Sequence, residues 1–535
     1  MANTICSVTV LVLLLGVNEL LSALLCDYEV WSLATLECRA FGDKWNVISP
    51  DLDTENADFD TTAMETFNRF PWQSIRSIVM KDANIVDVHE DFFMNATTLK
   101  ELDLTGNQEI SFARNTKACI HLQSLRTLRL SGTRPLNLDI LRCLDNLRVL
   151  DLSNAGIFVN KSSIHNYYWA LFKNLIILDL SRNIFFDLTL LKIGGKLRSL
   201  NISHTKVKIG DDFLMDAGSL KTLIMSHSGI QKISQLTFQH TNISYLDLSF
   251  NSINSSDKDF IKQLKEILHL NLSHNILEDL HSNPLPLFML ETLDLSHNLI
   301  NLVHSQVFEN LNKLYLLNLS NNRINFINSN LFSKLTNLRQ LDLSNNLIIQ
   351  FRSPHFRDLV KLESLNLGGN KLKELRSDIF RSNTLLRFIS IADNNQVVLY
   401  NQTYTHLSHL KTLDLSRNFL THIPDDILRK GNISNLIISC NNLSYLNLKF
   451  FESIGDEHKD RKIFLHGNPW RCGCLTAILE KLKPNQYGRD YLLDGMHPSC
   501  YVGEGFLDNE CRNEPLSKDE LLIWQEAIAA SGIQC

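Results

Sequence analysis

The side chains here that could do chemistry are cysteines, histidines and asparagines. Of eleven cysteines, Cys6 falls in an apolar leader and the rest cluster. Cys26 and Cys38 lie near the start, Cys119 and Cys143 follow, and Cys472, Cys474, Cys500 and Cys511 crowd the end, with Cys440 and Cys535 left over. A Cys-x-Cys pair can hold a metal, but no histidine-rich partner accompanies Cys472 and Cys474, so disulfides are the better reading. Disulfides imply an oxidising compartment. Cys440 and Cys535 could pair together, pair with another chain to give a linked dimer, or stay free. His204, His227, His274 and His297 recur at one position of a repeated phrase, with Phe250 at the same place between them. Such a column could sense pH or bind metal, but Ser-His-Asn is also a plain variant of the phrase. Ten Asn-x-Ser/Thr sites could carry sugar: Asn95, Asn160, Asn201, Asn242, Asn254, Asn271, Asn318, Asn401, Asn432 and Asn442. No serine-hydrolase elbow, His-Glu-x-x-His, phosphate loop or dinucleotide motif is present. The expectation is a protein that is not an enzyme and that uses no cofactor and no metal.

These groups must be positioned by something that repeats. At 535 residues the chain exceeds one compact core unless its architecture grows by repetition. The phrase LxxLxLxxN starts at Ile75, Leu99, Leu125, Leu147, Leu175, Leu197, Leu220, Ile243, Ile267, Leu290, Leu314, Leu338, Leu362, Leu386, Leu410 and Ile433, and a degenerate copy holds Ile463, Leu465 and Asn468. Within it, xLxL alternates as a strand does: the fourth and sixth residues point in, the third and fifth out. One strand cannot bury its own face, but stacked copies make a parallel sheet over a continuous leucine core. Asparagine is a poor helix and strand former, yet there are 52. The ninth-position residue explains part of that excess, because its amide can satisfy backbone groups where the chain leaves the strand. Asn107, Asn183, Asn251, Asn275, Asn298, Asn322, Asn346, Asn370, Asn394, Asn418, Asn441 and Asn468 occupy it, whereas five early copies carry Ala83, Thr133, Ala155, Thr205 and Ser228. A less regular N-terminal third is expected. Phe308, Phe332, Phe356 and Phe380 recur at 24 residues and should stack as a second apolar column, with Trp169 and Tyr404 in the same slot. The fifth-position aspartates (Asp103, Asp151, Asp179, Asp247, Asp294, Asp342 and Asp414) read as an outward acidic stripe.

The phrase is the leucine-rich repeat signature. Its Leu-Asp-Leu-Ser-x-Asn form, the phenylalanine column and the spacing resemble the extracellular animal class, as in Toll-like receptors. The resemblance implies an α/β leucine-rich repeat solenoid (horseshoe) with a long parallel sheet and disulfide caps at both ends. Residues 1–25 read as a signal peptide, with Val8 to Val17 its apolar core and cleavage near Ala23. Residues 26–74 would form an N-terminal cap closed by Cys26–Cys38, departing from the usual four-cysteine form. Residues 75–459 hold about sixteen repeats, 460–516 the degenerate last repeat and a C-terminal cap, and 517–535 a short helix and tail. The segment "NPWRCGCL" resembles the C-terminal cysteine cap, and that resemblance implies Cys472–Cys500 and Cys474–Cys511, where spacing alone allows three connectivities. Trp470 should cover the last leucine layer. Cys119 and Cys143, 24 residues apart on neighbouring coils, are within disulfide reach of each other. Ser517 and Glu520 make a capping box for a helix whose Leu521, Trp524 and Ile528 share one face.

No later stretch is apolar enough to span a membrane, and a net charge of −6 gives no case for nucleic acid. The outward apolar residues Tyr245, Phe250, Leu268, His269, Tyr315 and Leu316 fall in four nearby repeats and are the candidate ligand contacts. Asn201, Asn271 and Asn318 sit at the fifth strand position, so sugars there would push binding to a lateral flank. The expectation is a secreted binding protein for a protein or microbial-surface ligand, similar to soluble Toll-like ectodomains and the secreted leucine-rich immune proteins of insects. The alternatives are a matrix or adhesion protein, or a receptor ectodomain lacking its membrane segment.

Overall fold

A computed structural model describes residues 8–10, 24–29, 35–40, 76–82, 87–88, 96–107, 111–112, 121–133, 141, 144–156, 158–159, 174–185, 195–206, 209–210, 213–280, 283–394, 398–428, 433–447, 450, 462–481, 500–501, 511 and 514–531. Ala83, Asn95, Cys119, Cys143, Asn160, Trp169, Asn432 and Cys535 lie outside the described residues, as does the side chain of Ile528. The chain divides into two units, Met1–Ile253 with Asp257–Leu264, and Asn254–Ser256 with Lys265–Cys535.

Each unit is a stack of short parallel strands, one per repeated phrase. In the first unit Ser77–Val79, Glu101–Asp103, Thr127–Arg129, Val149–Asp151, Ile177–Asp179, Ser199–Asn201, Thr222–Ile224 and Tyr245–Asp247 pair in that order. In the second, nine strands run from His269–Asn271 to Lys462–Phe464. The register matches leucine to leucine, as in Leu293 against Leu317 and Leu317 against Leu341. The reason is that a one-residue slip would turn every leucine to water. Leu290, Leu293 and Leu295 are at most 2% exposed, and burying such a side chain contributes about 1.5–3 kcal/mol.

The ninth-position asparagines work as the sequence expects. Asn346 Nδ2 donates to Leu319 O at 2.9 Å, Leu343 O at 3.0 Å and Ser344 O at 3.1 Å, and its Oδ1 accepts from Ile324 N at 3.0 Å. One buried amide thus ties two rungs together. Asn298, Asn322, Asn370 and Asn418 repeat this pattern. Where asparagine is missing, Thr133 Oγ1 donates to Leu130 O at 2.8 Å and Ser228 Oγ to Ile202 O at 3.1 Å, while Ala155 is buried without a polar side chain.

The residue just before the ladder position has left-handed backbone in rung after rung. Asn154, Arg182, His204, His227, Phe250, His274, His297, Asn321, Asn345, Arg417 and Cys440 have φ between 50° and 59°. Gly106, Gly132, Gly369 and Gly467 fill the same slot with positive φ. Glycine and asparagine tolerate this region, whereas for a residue such as phenylalanine it is strained by about 1–2 kcal/mol. A side chain at Gly369 would also overlap Asn345 Oδ1.

Behind the strands, Phe308, Phe332, Phe356 and Phe380 are fully buried, and Tyr404 continues the column 6.2 Å from Phe380. Burial of Tyr404, whose hydroxyl has no hydrogen-bond partner among the described residues, pushes its pKa well above the usual phenol range. At the start, Val8–Val10 runs antiparallel to Leu24–Glu29, which pairs antiparallel with Thr35–Ala40, setting Cys26 opposite Cys38. Thr35–Ala40 then runs parallel to Ser77–Val79. Val8–Val10, the first residues of the segment read as a leader's apolar core, therefore form an added edge strand, in keeping with their β-branched Val-Thr-Val. At the other end, Trp470 is fully buried and donates from Nε1 to Leu465 O at 2.9 Å. Helix α1 (Cys472–Lys481) follows, fastened by Cys472–Cys500 and Cys474–Cys511 with Cα separations of 4.9 and 4.2 Å. Helix α2 (Lys518–Ser531) begins at the capping box: Glu520 Oε2 accepts from Ser517 N at 2.8 Å. That backbone hydrogen bond lowers the Glu520 pKa. Trp524 is buried, whereas Leu522 and Ile523 are exposed. No helix among the described residues is long and apolar enough to cross a membrane.

Candidate functional site: the strand face and its two edges

A rung offers three outward places: the strand face, the edge where the chain enters the strand, and the edge where it leaves. On the face, the fifth-position column is a row of turn-formers. Asp342 Oδ1 accepts from Ser344 N at 2.8 Å and from Ser344 Oγ at 2.6 Å. Asp151, Asp179, Asp247, Asp294 and Asp414 accept the same backbone bond two residues on. These carboxylates close the turn at the strand's end, so the acidic stripe is spent on structure. Cations also cover part of it: Lys81 and Arg129 lie 3.2 and 3.8 Å from Asp103, and Arg129 pairs with Glu101. Asn201, Asn271 and Asn318 make the same turn bond to Ser203, Ser273 and Ser320, and are half-buried. Asn242 and Asn401 are the exposed sequon asparagines among the described residues.

The six candidate contacts are divided between the two units, and within each unit they stand apart. Tyr245 begins its strand and Phe250 lies beyond its end, in the first unit, at opposite edges of one rung. Leu268, His269, Tyr315 and Leu316 belong to the second unit and are half-buried. They sit two rungs apart, with Glu291 and Thr292 on the rung between, and His269 Nδ1 lies 2.9 Å from Thr292 Oγ1.

At the exit edge the left-handed backbone brings eighth-position rings face to face. His204 stacks on His227 at 4.3 Å and His227 on Phe250 at 4.1 Å, and in the second unit His274 stacks on His297 at 4.0 Å. Desolvation, then His227 and Arg182, lower the His204 pKa. Rings stacked face to face do not aim their nitrogens at a shared point. Among the described residues no three His, Cys, Asp or Glu side chains could together hold a metal ion. Cys440, at this same position, is disulfide-bonded.

The entry edge of the first unit carries a feature that the sequence reading missed. The second residue of the phrase is Arg76, Lys100, Arg126, Arg148, Ile176, Arg198 and Lys221 in consecutive rungs. Backbone bonds link them in order, from Lys100 N to Arg76 O at 2.7 Å through Lys221 N to Arg198 O at 2.9 Å. All six cations are exposed, and none has an ion-pair partner among the described residues. Lys100, Arg126, Arg148, Lys196 and Arg198 line an open cleft of about 600 Å³, with no carboxylate side chain among the described residues of its wall. The signal was present in the sequence, but at one residue in every 22 to 28 no local window shows it.

The family profile for leucine rich repeats matches residues 218–277 and 289–348, and that for the BspA type leucine rich repeat region matches residues 326–455. A zebrafish (Danio rerio) protein, "Transforming growth factor beta activator LRRC33", is 28% identical over 239 residues, 41% of this chain and 33% of the relative. The chain thus spans about a third of the length of that curated relative. Among solved structures, the Leptospira interrogans leucine-rich repeat protein LIC12759 has a TM-score of 0.64 at 20% identity, covering 78% of this chain and 96% of that one. The mouse RP105/MD-1 complex gives a TM-score of 0.64 at 21% identity, covering 80% and 72%. The fold is the leucine-rich repeat solenoid, shared with ectodomains of the Toll-like kind.

Proposed function

We propose that this protein is secreted and acts as an extracellular recognition protein in innate immunity, holding a protein or microbial-surface ligand on its strand-bearing side and catalysing no reaction. The observation that carries this reading is the internal closure of each rung. Ladder asparagines and turn aspartates satisfy the backbone from within, so the outward second and third residues, exposed or half-buried, take no part in closing the turn. They are free to differ from rung to rung on a rigid frame, which is what a display surface needs. The disulfide cap fits an oxidising compartment. Tyr245 and Phe250 remain candidate contacts, being the exposed aromatics of the set.

The test is to express the full chain with its own leader in insect cells, sequence the secreted N-terminus, and crosslink the native protein with and without microbial challenge. Protein in the medium starting near Leu24, and capture of extracellular or microbial-surface species, is expected. Retention inside the cell with Met1 intact would overturn the secretory reading. The match to a growth-factor activator supports a second reading, an extracellular carrier of a protein ligand. It requires capture of the same secreted protein without challenge.

A further inference from the structure

We propose that the entry edge of the first unit is a binding site for a linear polyanionic polysaccharide, one bearing sulfate or uronate groups along its length. The proposal rests on the recognition reading above and names the chemistry of one ligand.

The row has the form such a ligand requires. Arg76, Lys100, Arg126, Arg148, Arg198 and Lys221 are joined rung to rung by backbone hydrogen bonds. Successive cations are therefore spaced by the strand separation of about 4.8 Å, and Ile176 makes the one gap. A pyranose unit advances its chain by about one rung, so anionic groups on a stiff sugar polymer can meet successive cations. Arginine suits this, because its planar fork matches sulfate and carboxylate oxygens in pairs.

None of the six has an ion-pair partner among the described residues. Lys196 Nζ spends one bond on Asn174 Oδ1 at 2.8 Å, and Lys221 Nζ one on Asn242 O at 3.1 Å. The whole chain is acidic, at −6, so the row is not the local share of a basic protein. It is a positive strip on a negative molecule, which steers an anion to one place.

The lining separates the polysaccharide from other polyanions. Gln123, Ser124, Asn146 and Ser219 stand beside the cations and offer amides and hydroxyls to sugar hydroxyls. Among the described residues no aromatic ring lines the cleft. Single-stranded nucleic acid is held by cations together with aromatic platforms on which bases stack, and here only the cations are present. An acidic peptide would leave the polar wall without a matching row of hydroxyls.

Full-length secreted protein is titrated with a heparin oligosaccharide, with neutral dextran, oligo-dT and polyglutamate alongside, at two salt concentrations. The variants are K100Q/R126Q/R148Q and, in the second unit, R339Q/R387Q. Unfolding midpoints confirm that each variant is folded, since these are exposed positions. The expected result is salt-sensitive heparin binding by the wild type, at least tenfold weaker in the first variant, unchanged in the second, and undetectable with dextran. Absent heparin binding, equal loss in both variants, or equal or tighter binding of oligo-dT or polyglutamate would overturn the proposal. Wild-type protein that captures a partner on crosslinking yet ignores heparin defeats this inference and leaves the recognition reading standing.

Discussion

The same position of the repeated phrase carries a row of cations in the first unit and a mixed, partly neutralised column in the second. In the first unit six of the second residues, from Arg76 to Lys221, are cations with no ion-pair partner among the described residues. In the second, Arg339 Nη1 sits 2.8 Å from Glu363 Oε1 and Arg387 Nε lies 3.8 Å from Glu363 Oε2, so neighbouring rungs neutralise one another. Both columns are built on the same strand edge, so the fold does not dictate the difference. Like charges about 5 Å apart in water repel by roughly 1 kcal/mol per pair before salt screening. The first unit tolerates that repulsion along its whole row. The comparison teaches that the scaffold fixes where a side chain stands and leaves its sign open, so function is read from the column.

The ladders differ too, and breaking them should give the largest effect. Asn346 makes four hydrogen bonds across two rungs of the second unit. Asn346→Ala leaves buried carbonyls and an N–H short of partners and should cost about 3 kcal/mol. In the first unit Thr205 Oγ1 donates one bond, to Ile202 O at 2.5 Å, and Thr205→Val should cost about 1 kcal/mol. Chemical denaturation, with Trp470 reporting on the second unit and hydrogen exchange on the first, checks the ranking. Equal losses would show that the early rungs rely on this position as heavily as the later ones.

A smaller effect, and one that reverses a property, is expected from Glu363→Gln. Removing this carboxylate frees Arg339 and Arg387 on an exposed edge. Stability should change by less than about 1 kcal/mol, because exposed ion pairs contribute little. Salt-sensitive heparin binding should rise several-fold when Glu363→Gln is added to the K100Q/R126Q/R148Q chain, in which the first unit's contribution is already reduced. No gain would mean that charge alone is insufficient and that the amide wall around Asn146 is required.

What the sequence made legible follows from range. Leucine spacing, strand register and the asparagine ladder are periodic signals, and each copy reinforces the next, so Leu293 and Asn298 could be placed without coordinates. Asp342 was visible as part of a column, but its meaning was not. A side chain that leaves the strand face can still fold back two residues to its own backbone, as the Asp342–Ser344 bond does. The left-handed turn was written in Gly106, Gly132, Asn321 and Asn345, and the histidines and Phe250 at the same slot hid it. The six candidate contacts were chosen for type, and their scatter along the rung, Tyr245 at one edge and Phe250 at the other, depends on where each sits in the phrase. The basic row depends on residues separated by whole coils and emerges only when the rungs are laid side by side.

The exit-edge stack of the first unit offers the smallest and most specific test. His204 packs against His227, and burial together with His227 and Arg182 lowers its pKa below 6.5. A histidine with a depressed folded pKa adds stability that is full above the unfolded value and declines as pH falls through it, because the unfolded chain takes up the proton first. The window therefore opens at about pH 6.5 and runs downward until the folded imidazole also protonates. His204→Phe should keep the ring stack, since Phe250 already holds a phenyl ring at φ 53° in the same backbone conformation. It removes the titrating group. Unfolding midpoints of the first unit at pH 7.5 and 5.5 should differ in the wild type, with the lower value at pH 5.5, and the gap should narrow in the variant. The shift should be well below that of Asn346→Ala, because the imidazole is largely in contact with water. An unchanged gap would assign the acid sensitivity to other groups, and a stack lost at both pH values would show that the imidazole's hydrogen bonds, and not its ring face, hold the column.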